Sequence, residues 1–299
     1  MHTAVYPKGK QHQGVTPIRI DESIILATQV MRSAGISEPR REAGSLLAHT
    51  IGKDRTFLIT HANDELSEED LDEYRSLIER RASGEPLQYI IGAQDFFGRQ
   101  FRVTPDVLIP RPETELLVEA ALHLLRNQTA PYVCDVGTGS GCISITLLCE
   151  RDDARAIAVD ISEAALKVAR FNSTTLSVSE RIEFRLSDCF SELKPNSQFD
   201  LVVSNPPYVA ADVLSGLQRE VRDHEPRVAL SPGPDGLEVI QRLLGESPAF
   251  LKDKGHLVME IGFDQGKRVQ GLIDPKKWRL VEIRPDLQGI PRIVVLQRQ

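Results

Sequence analysis

The sequence predicts an α/β protein whose parallel sheet is preceded by a small all-helical domain. Three observations support this fold class. Apolar residues between positions 21 and 83 recur with helical spacing and never alternate as they would in a strand. From residue 132 onward, short apolar runs alternate with helical stretches, which is the pattern of a parallel sheet. A glycine-rich loop directly follows the first of these runs.

The composition is that of an ordinary globular protein and limits the possible functions. The chain has 299 residues, 41% hydrophobic and 26% charged, which is long enough for two domains. A net charge of -7 argues against broad binding to a nucleic-acid backbone, so we expect no direct nucleic-acid binding. No apolar stretch approaches the roughly 20 residues that span a bilayer, and residues 1–17 lack the apolar segment of a secretory signal. We expect a cytoplasmic protein with no membrane association and a disordered tail at 1–17.

The four cysteines are expected to be reduced. Cys134, Cys142, Cys149 and Cys189 form no C-x-x-C pair, and most lie in or beside apolar segments. We interpret them as small packing residues, and we expect no metal site.

The helical domain is predicted over residues 18–84. Ile24, Thr28 and Met31 share one helical face. Ser67 followed by acidic residues resembles a capping box, which opens a helix that stops near Gly84.

A β-hairpin linker is predicted over residues 85–112. Aromatic and β-branched residues interrupted by glycines dominate positions 96–103. Pro110 and Pro112 then open a helix expected to run to about Arg126. Glu113 and Glu115 in its first turn can shape a nearby pocket or simply interact with the helix dipole.

The remaining domain, residues 113–299, carries the sheet. Four strand-like runs, separated by helical stretches at 142–149 and 163–171, are predicted at 132–136, 156–159, 182–186 and 201–203. Three later strands are predicted at 255–261, 279–284 and 290–296, with helices near 236–244 and 265–272. No helix separates the last two strands, so we expect an antiparallel closing hairpin.

The glycine loop indicates a nucleoside-binding site. Gly137, Thr138, Gly139, Ser140 and Gly141 lie between the first strand and its helix, where glycines let the backbone approach a ligand closely. Asp160 ends the next strand, where a carboxylate can accept both ribose hydroxyls; the alternative is a tight turn with Asp160 as a helix cap. The spacing disfavours a dinucleotide and no P-loop lysine follows, so S-adenosylmethionine is the better hypothesis. Asp188 and Cys189 after the third strand can contact adenine, although a loop aspartate there is also common.

The run Asn205-Pro206-Pro207-Tyr208 is the most informative feature of the chain. It follows a buried strand, at the sheet edge where α/β proteins bind ligands. Two prolines remove backbone donors, so the loop presents acceptors. The Asn205 side-chain oxygen and the Pro206 carbonyl can each accept one N–H of a planar NH2 group. Tyr208 can pack against the amide plane or serve as ordinary strand-end packing.

With these residues identified, nearly the whole chain resembles the protein-glutamine N5-methyltransferases that modify peptide-chain release factors, the PrmC or HemK family. The matching segments are G-E-P-L-Q-Y-I at 84–90, L-I-P-R-P-E-T-E at 108–115, D-V-G-T-G-S-G-C-I at 135–143 and N-P-P-Y at 205–208. Enzymes that methylate a ribosomal-protein glutamine are similar, but P-R-S-P is expected there. The chain departs from the family pattern at His224, where an aromatic residue is expected, and at Cys189, which is often bulkier.

The resemblance implies a Rossmann-like seven-stranded methyltransferase sheet with its last strand antiparallel and a helical domain that docks class I peptide chain release factors. It implies S-adenosyl-L-methionine as cofactor, S-adenosyl-L-homocysteine as product, and contacts to the cofactor from the 137–141 loop, Asp160, Asp188, Cys189 and Asn205. Residues Asn205 to Tyr208 would hold the glutamine of a Gly-Gly-Gln motif. The alternatives are a ribosomal-protein glutamine, an exocyclic amine of nucleic acid, and a non-catalytic docking module. His224 is expected to be a surface or salt-bridge residue rather than a base.

Overall fold

The computed structural model describes residues 18–194 and 198–299, and the tail expected at 1–17 lies outside the described residues. The chain forms two compact units. The helical unit ends at Gly92 and also includes Arg219–His224, whereas the sheet unit comprises Ala93–Gln218 and Glu225–Gln299. The segment Arg219–His224 therefore interrupts the sheet unit in sequence and packs with the helical unit.

The predicted strands occur in the predicted order, and the structure adds helices at Leu87–Ile91, Arg219–His224 and Arg227–Leu230 that were not predicted. The helices are α1 (Ile20–Ser33), α2 (Pro39–Thr50), α3 (Arg55–Thr60), α4 (Glu68–Ala82), α5 (Leu87–Ile91), α6 (Glu115–Leu125), α7 (Cys142–Glu150), α8 (Glu163–Thr175), α9 (Arg219–His224), α10 (Arg227–Leu230), α11 (Glu238–Glu246) and α12 (Gly266–Leu272). The strands are β1 (Ala93–Phe96), β2 (Arg99–Arg102), β3 (Tyr132–Val136), β4 (Arg155–Asp160), β5 (Ile182–Leu186), β6 (Phe199–Ser204), β7 (Leu251–Glu260), β8 (Trp278–Pro285) and β9 (Pro291–Arg298).

The helical unit is built around α1, α2 and α4, whose apolar faces share one core. Ser67 caps α4 by accepting a hydrogen bond from the backbone N–H of Asp70, as the sequence predicts. The buried Tyr74 of α4 donates its hydroxyl to the carbonyl of Ala43 in α2, at 3.0 Å. The short helices of this unit would be marginally stable alone. Burial of their aromatic and aliphatic side chains in the shared core therefore stabilises the unit.

A buried arginine links α9 to the rest of the helical unit. Arg81 is 3% exposed and pairs with Glu42 of α2, with Nε and Oε2 2.5 Å apart. It also pairs with Glu220 of α9. A buried guanidinium requires such partners because an unpaired charge inside a protein is costly.

The sheet unit contains the predicted seven-stranded sheet, in the order β5-β4-β3-β6-β7-β9-β8. The pairs β4 to β5, β3 to β4, β3 to β6 and β6 to β7 are parallel, whereas β9 is antiparallel to both β7 and β8. The prediction of an antiparallel last strand is therefore confirmed. Each predicted run forms a strand, although β7 begins at Leu251 rather than at residue 255.

Both faces of the sheet are covered by buried apolar side chains. Successive residues of β3 point to opposite faces, so Val133 belongs to one apolar cluster and Cys134 to the other. A strand buried on both faces is mostly apolar, with Asp135 as the exception in β3, which explains why the sequence shows nearly continuous runs rather than alternation.

The linker differs from the β-hairpin expected over 85–112. Its first part forms α5, because Leu87, Ile90 and Ile91 have helical spacing and pack against the core of the helical unit. Gly92, with φ of 77°, ends this helix. The hairpin itself is limited to β1 and β2, and it belongs to the sheet unit rather than linking two units.

Two further observations concern the described residues. All four cysteines carry free thiols. Among the described helices, none combines the length and the apolar character that crossing a bilayer requires.

Candidate active site

A cavity of about 350 Å³ opens at the carboxyl ends of the parallel strands in the sheet unit. The parallel pairing of β4, β3 and β6 brings these strand ends together, where α/β sheets usually bind ligands. The sequence-predicted residues that line this cavity are Gly137, Thr138, Gly139, Ser140, Asp160, Asp188, Cys189, Asn205, Pro206 and Pro207. Gly141 and Tyr208 are not among the lining residues.

The glycine loop is shaped to leave space at its tip. Gly139 has φ of 56°, and a Cβ atom there would meet no atom within 4 Å, so the backbone faces open space. Gly141 has a different role, because a Cβ there would lie 2.6 Å from Cδ1 of Ile145 in α7. Gly141 therefore allows α7 to pack closely and contributes to the cavity only indirectly.

The loop is anchored by the buried carboxyl group of Asp135. Its Oδ2 accepts hydrogen bonds from Thr138 Oγ1 at 2.7 Å and from the backbone N–H of Ser144 at 3.3 Å. Its Oδ1 is buried and has no hydrogen-bond partner within the described residues. Burial raises the pKa of Asp135 to about 6, although the hydrogen bonds from Thr138 and Ser144 act in the opposite direction.

Asp160, the last residue of β4, holds the loop from the other side. Its Oδ2 accepts the backbone N–H of Gly139 at 2.8 Å, and its Oδ1 accepts that of Ser162 at 2.9 Å. Burial raises its pKa above the ordinary value. Ser162 supplies the side-chain cap of α8 by accepting a hydrogen bond from the backbone N–H of Ala165, so Asp160 is not the cap of that helix. Each carboxylate oxygen retains acceptor capacity toward the cavity.

The two residues after β5 differ in their surroundings. Asp188 Oδ1 accepts a hydrogen bond from Arg242 Nη1 at 2.6 Å, and its side chain is 56% exposed. Cys189 is buried with φ of 49°, and burial raises the pKa of its thiol to about 11. This thiol therefore contributes shape rather than charge to the cavity wall.

The N-P-P-Y loop is held in place by backbone contacts from neighbouring elements. Ser204 Oγ donates to the carbonyl of Val136 at 2.7 Å, which joins the ends of β6 and β3. Gln265 Nε2 donates to the carbonyl of Tyr208 at 3.0 Å. A Cβ at Gly236 would collide with that same carbonyl, so only glycine fits this position.

A buried carboxyl group lies behind the loop. Asn205 Nδ2 donates to Thr114 Oγ1 at 3.1 Å, and Thr114 Oγ1 donates to Glu260 Oε2 at 2.7 Å. The hydroxyl of Tyr208 donates to Glu260 Oε1 at 3.2 Å. Glu260 is 1% exposed, and burial raises its pKa and also that of Tyr208. One carboxyl group thus connects to both polar side chains of the loop.

Thr114, Glu260 and Gln265 were not predicted from the sequence as site residues. Thr114 lies between the two glutamates of its motif, and it lines the cavity whereas Glu113 and Glu115 do not. The signal for Glu260 was an acidic residue inside an otherwise apolar run at 257–261. His224 ends α9 in the helical unit and is not among the residues described as lining the cavity.

Glu225, next to His224, fixes the segment that carries Thr114. Its Oε1 accepts from Arg111 Nη2 at 2.5 Å, and its Oε2 accepts the backbone N–H of Ile109 at 3.4 Å. Glu225 is 5% exposed, so its charge requires these partners.

The cavity residues fit an adenosyl cofactor. The Oγ of Ser140 and Oε2 of Glu238 are buried polar atoms of lining residues, and neither has a partner within the described part of the chain. Buried polar atoms normally have hydrogen-bond partners, so these two atoms are suited to contact a polar ligand. The volume is at the lower end of the range for small-molecule sites.

Comparisons with known proteins agree with this geometry. Residues 22–92 match the PrmC N-terminal domain, and residues 112–220 match the methyltransferase small domain. The chain is 43% identical to a release factor glutamine methyltransferase of Cereibacter sphaeroides, covering 93% of this chain and 98% of the relative. It is also 43% identical to one of Koribacter versatilis, covering 90% and 95%. The solved hMettl16 catalytic domain, in complex with MAT2A 3'UTR hairpin 6, shares the fold with a TM-score of 0.53, 16% identity and coverage of 75% of this chain and 81% of that one.

The seven-stranded sheet, the glycine loop and the methyltransferase-domain match define an S-adenosylmethionine-dependent methyltransferase. More particularly, the extent of its identity to full-length relatives shows that the chain belongs to the release factor glutamine methyltransferase family.

Replacing Asp160 by alanine should weaken binding of S-adenosylhomocysteine by about 10- to 100-fold, because a hydrogen bond to a charged group contributes about 1.5–3 kcal/mol. Isothermal titration calorimetry measures this affinity. Asp152→Ala removes an exposed carboxylate as a matched control and should change nothing. Unchanged affinity in Asp160→Ala would remove Asp160 from the site.

Stability should depend on pH through Asp135. Its folded pKa of about 6 lies above the ordinary 3.8, so its stabilising contribution is complete below about pH 4 and is lost as pH rises through about 6. Relative to Asp135→Asn, the wild-type free energy of unfolding should fall by about 3 kcal/mol between pH 4 and pH 8, because one pKa unit is about 1.4 kcal/mol. Urea unfolding at several pH values measures the difference. For the exposed Asp152→Asn variant, the difference from the wild type in free energy of unfolding should not change with pH. A pH-independent difference for Asp135→Asn would contradict the raised pKa of Asp135.

Proposed function

We propose that this protein transfers a methyl group from S-adenosyl-L-methionine to the side-chain nitrogen (N5) of the glutamine in the Gly-Gly-Gln motif of class I peptide chain release factors. One observation carries the proposal: the acceptor-bearing residues Asn205 and Pro206 line the same cavity as the glycine loop and Asp160. The names of the relatives favour a release factor over a ribosomal protein as the substrate.

Residues of the loop and of the neighbouring strand ends hold the cofactor in this proposal. When bound, S-adenosylmethionine supplies a methyl group activated by a positively charged sulfur. Gly137 to Ser140 approach the ligand through their backbone, and Asp160 accepts hydrogen bonds from ribose hydroxyls. Asp188 and Cys189 border the adenine. Arg242 pairs with the Asp188 carboxylate. We therefore assign Asp188 to orienting the adenine through Arg242, and Cys189 mainly to apolar contact with the adenine.

The N-P-P-Y loop orients the substrate amide. The lone pair of an amide nitrogen is delocalised, so the site must fix its geometry rather than rely on its reactivity. Neither Asn205 Oδ1 nor the Pro206 carbonyl has a hydrogen-bond partner within the described residues, and each can accept one N–H of the glutamine. Acceptors placed there also stabilise the positive charge that develops on nitrogen.

Pro207 and Tyr208 complete the substrate site in this proposal. Pro207 keeps the loop extended, since it cannot donate a backbone hydrogen bond. Tyr208 is not among the lining residues, so we assign it to holding the loop that orients the amide plane, with Glu260 accepting a hydrogen bond from its hydroxyl. We assign no side chain as a general base, because the nitrogen can lose its proton after the methyl transfer.

The helical unit is the proposed docking domain for the release factor. Its match to the PrmC N-terminal domain supports this role, and the net charge of -7 disfavours nucleic acid as the substrate. A protein that modifies translation factors would act in the cytoplasm.

The direct test is methylation of a release factor by the protein with labelled S-adenosylmethionine. Label should enter the wild-type release factor and be absent from a variant whose Gly-Gly-Gln glutamine is replaced by alanine. Undiminished labelling of that variant would refute the assignment. Salt-sensitive labelling of DNA or RNA would instead favour an exocyclic amine as the substrate.

Asn205→Ala should lower kcat by about 10- to 100-fold and leave the affinity for S-adenosylhomocysteine nearly unchanged, because the variant loses one acceptor for the substrate amide. Steady-state kinetics and calorimetry separate the two effects. Asn127→Ala, at an exposed position, serves as the control. Equal losses of rate and cofactor affinity would contradict a role in orienting the substrate.

A further inference from the structure

The hydrogen bonds behind the N-P-P-Y loop determine which way the Asn205 amide faces. Thr114 has one hydroxyl proton, and the structure directs it to Glu260 Oε2. An ionised carboxylate can only accept hydrogen bonds, so this proton is committed. The oxygen of Thr114 then presents only lone pairs to Asn205, which must donate through Nδ2, as observed at 3.1 Å. Asn205 Oδ1 is therefore the atom left for a ligand in the cavity.

We propose that Glu260, acting through Thr114, is a positioning residue that fixes the Asn205 side chain with its oxygen available to the substrate amide. This inference rests on the proposed function and extends it to a buried residue that does not touch the cavity. Glu260 also accepts the Tyr208 hydroxyl, so one carboxylate sets the orientation of both polar side chains of the loop.

Strand register explains how Glu260 reaches this position. In the parallel pair of β6 and β7, Ser204 lies opposite Met259. Asn205 directly follows β6 and Glu260 is the last residue of β7, so the two residues lie side by side at the end of this strand pair. Thr114, from the turn before α6, spans the gap between their side chains. The three residues are far apart in sequence and are brought together only by the sheet.

A carboxylate suits this position better than an amide of the same shape. Both oxygens of Glu260 accept, which matches the two hydroxyl donors Thr114 and Tyr208. Glutamine has one acceptor and one donor group, so it can satisfy only one hydroxyl in its present orientation. If the glutamine NH2 group faced Thr114, the threonine proton would turn toward Asn205. The Asn205 amide would then rotate and present NH2 to the substrate NH2.

The same argument predicts that kcat falls at low pH, which gives the pH profile an acid limb. Burial raises the pKa of Glu260, and hydrogen bonds from Thr114 and Tyr208 lower it. The positive charge of Arg292 also lowers this pKa, whereas the negative charge of Glu113 raises it. Protonation of Oε2 makes Glu260 a donor to Thr114, which releases the threonine proton toward Asn205. The correct orientation is therefore present above the pKa of Glu260 and is lost as pH falls through it.

Kinetics of Glu260 and Thr114 variants test the proposal. Glu260→Gln should lower kcat on the release factor by about 10- to 100-fold, comparable to losing the Asn205 acceptor, and should lose the acid limb of the pH profile. Thr114→Val, which removes the hydroxyl at nearly constant volume, should show the same loss of kcat. Thr114→Ser retains the hydroxyl and should retain wild-type kcat. Exposed Glu119→Gln is the control and should behave as wild type.

The affinity for S-adenosylhomocysteine distinguishes positioning from a merely structural role. It should remain at the wild-type level in Glu260→Gln and Thr114→Val, because the relay contacts Asn205 and not the glycine loop. Three results would overturn the proposal: wild-type kcat with a retained acid limb in Glu260→Gln, equal kcat in Thr114→Val and Thr114→Ser, or a loss of cofactor affinity that accounts for the loss of rate.

A measurement without substrate separates this proposal from the proposed function. The side-chain amide NMR resonances of Asn205, identified by their absence in Asn205→Ala, should titrate with pH in the wild type and remain constant in Glu260→Gln. A titration that persists in Glu260→Gln would overturn the relay. Failure of the wild type to methylate release factors would refute the proposed function while leaving this result interpretable.

Discussion

The cavity depends on the parallel pairing of β4, β3, β6 and β7. Asp160, Asn205 and Glu260 stand at or just beyond the ends of these strands. Because neighbouring residues in a strand face opposite sides, a slip of one residue in the pairing would move these groups to the other face. The apolar runs that bury the strands on both faces therefore also determine the geometry of the site, since they fix the register.

Local patterns in the sequence were sufficient to predict the order of strands and helices and the positions of the glycine loop and the N-P-P-Y loop. They were insufficient where long-range packing decides. Positions 87–91 read as part of a hairpin, but their apolar side chains face the helical core and the segment is α5. Thr114 and Glu260 were missed because their partnership spans 146 residues of sequence. Gly141 was predicted to contact the cofactor and is not among the residues that line the cavity.

Several acidic groups gather at one edge of the sheet. Asp135, Asp160 and Glu260 all have raised pKa values because burial disfavours their charge. Asp160 and Glu238 line the cavity, whereas Asp135 and Glu260 do not. Carboxyl groups on the wall of a partly enclosed cavity favour ligands that carry positive charge, as a sulfonium does.

The position of α9 has a consequence for dissecting the molecule. A fragment that stops at Gly92 would match the boundary of the N-terminal family domain, yet it would omit a helix that packs with that domain. In such a fragment Arg81 would keep Glu42 but lose Glu220, leaving part of a guanidinium without its acidic neighbour. The two units are thus interleaved along the polypeptide, and a single cut after Gly92 leaves α9 on the fragment that carries the sheet unit.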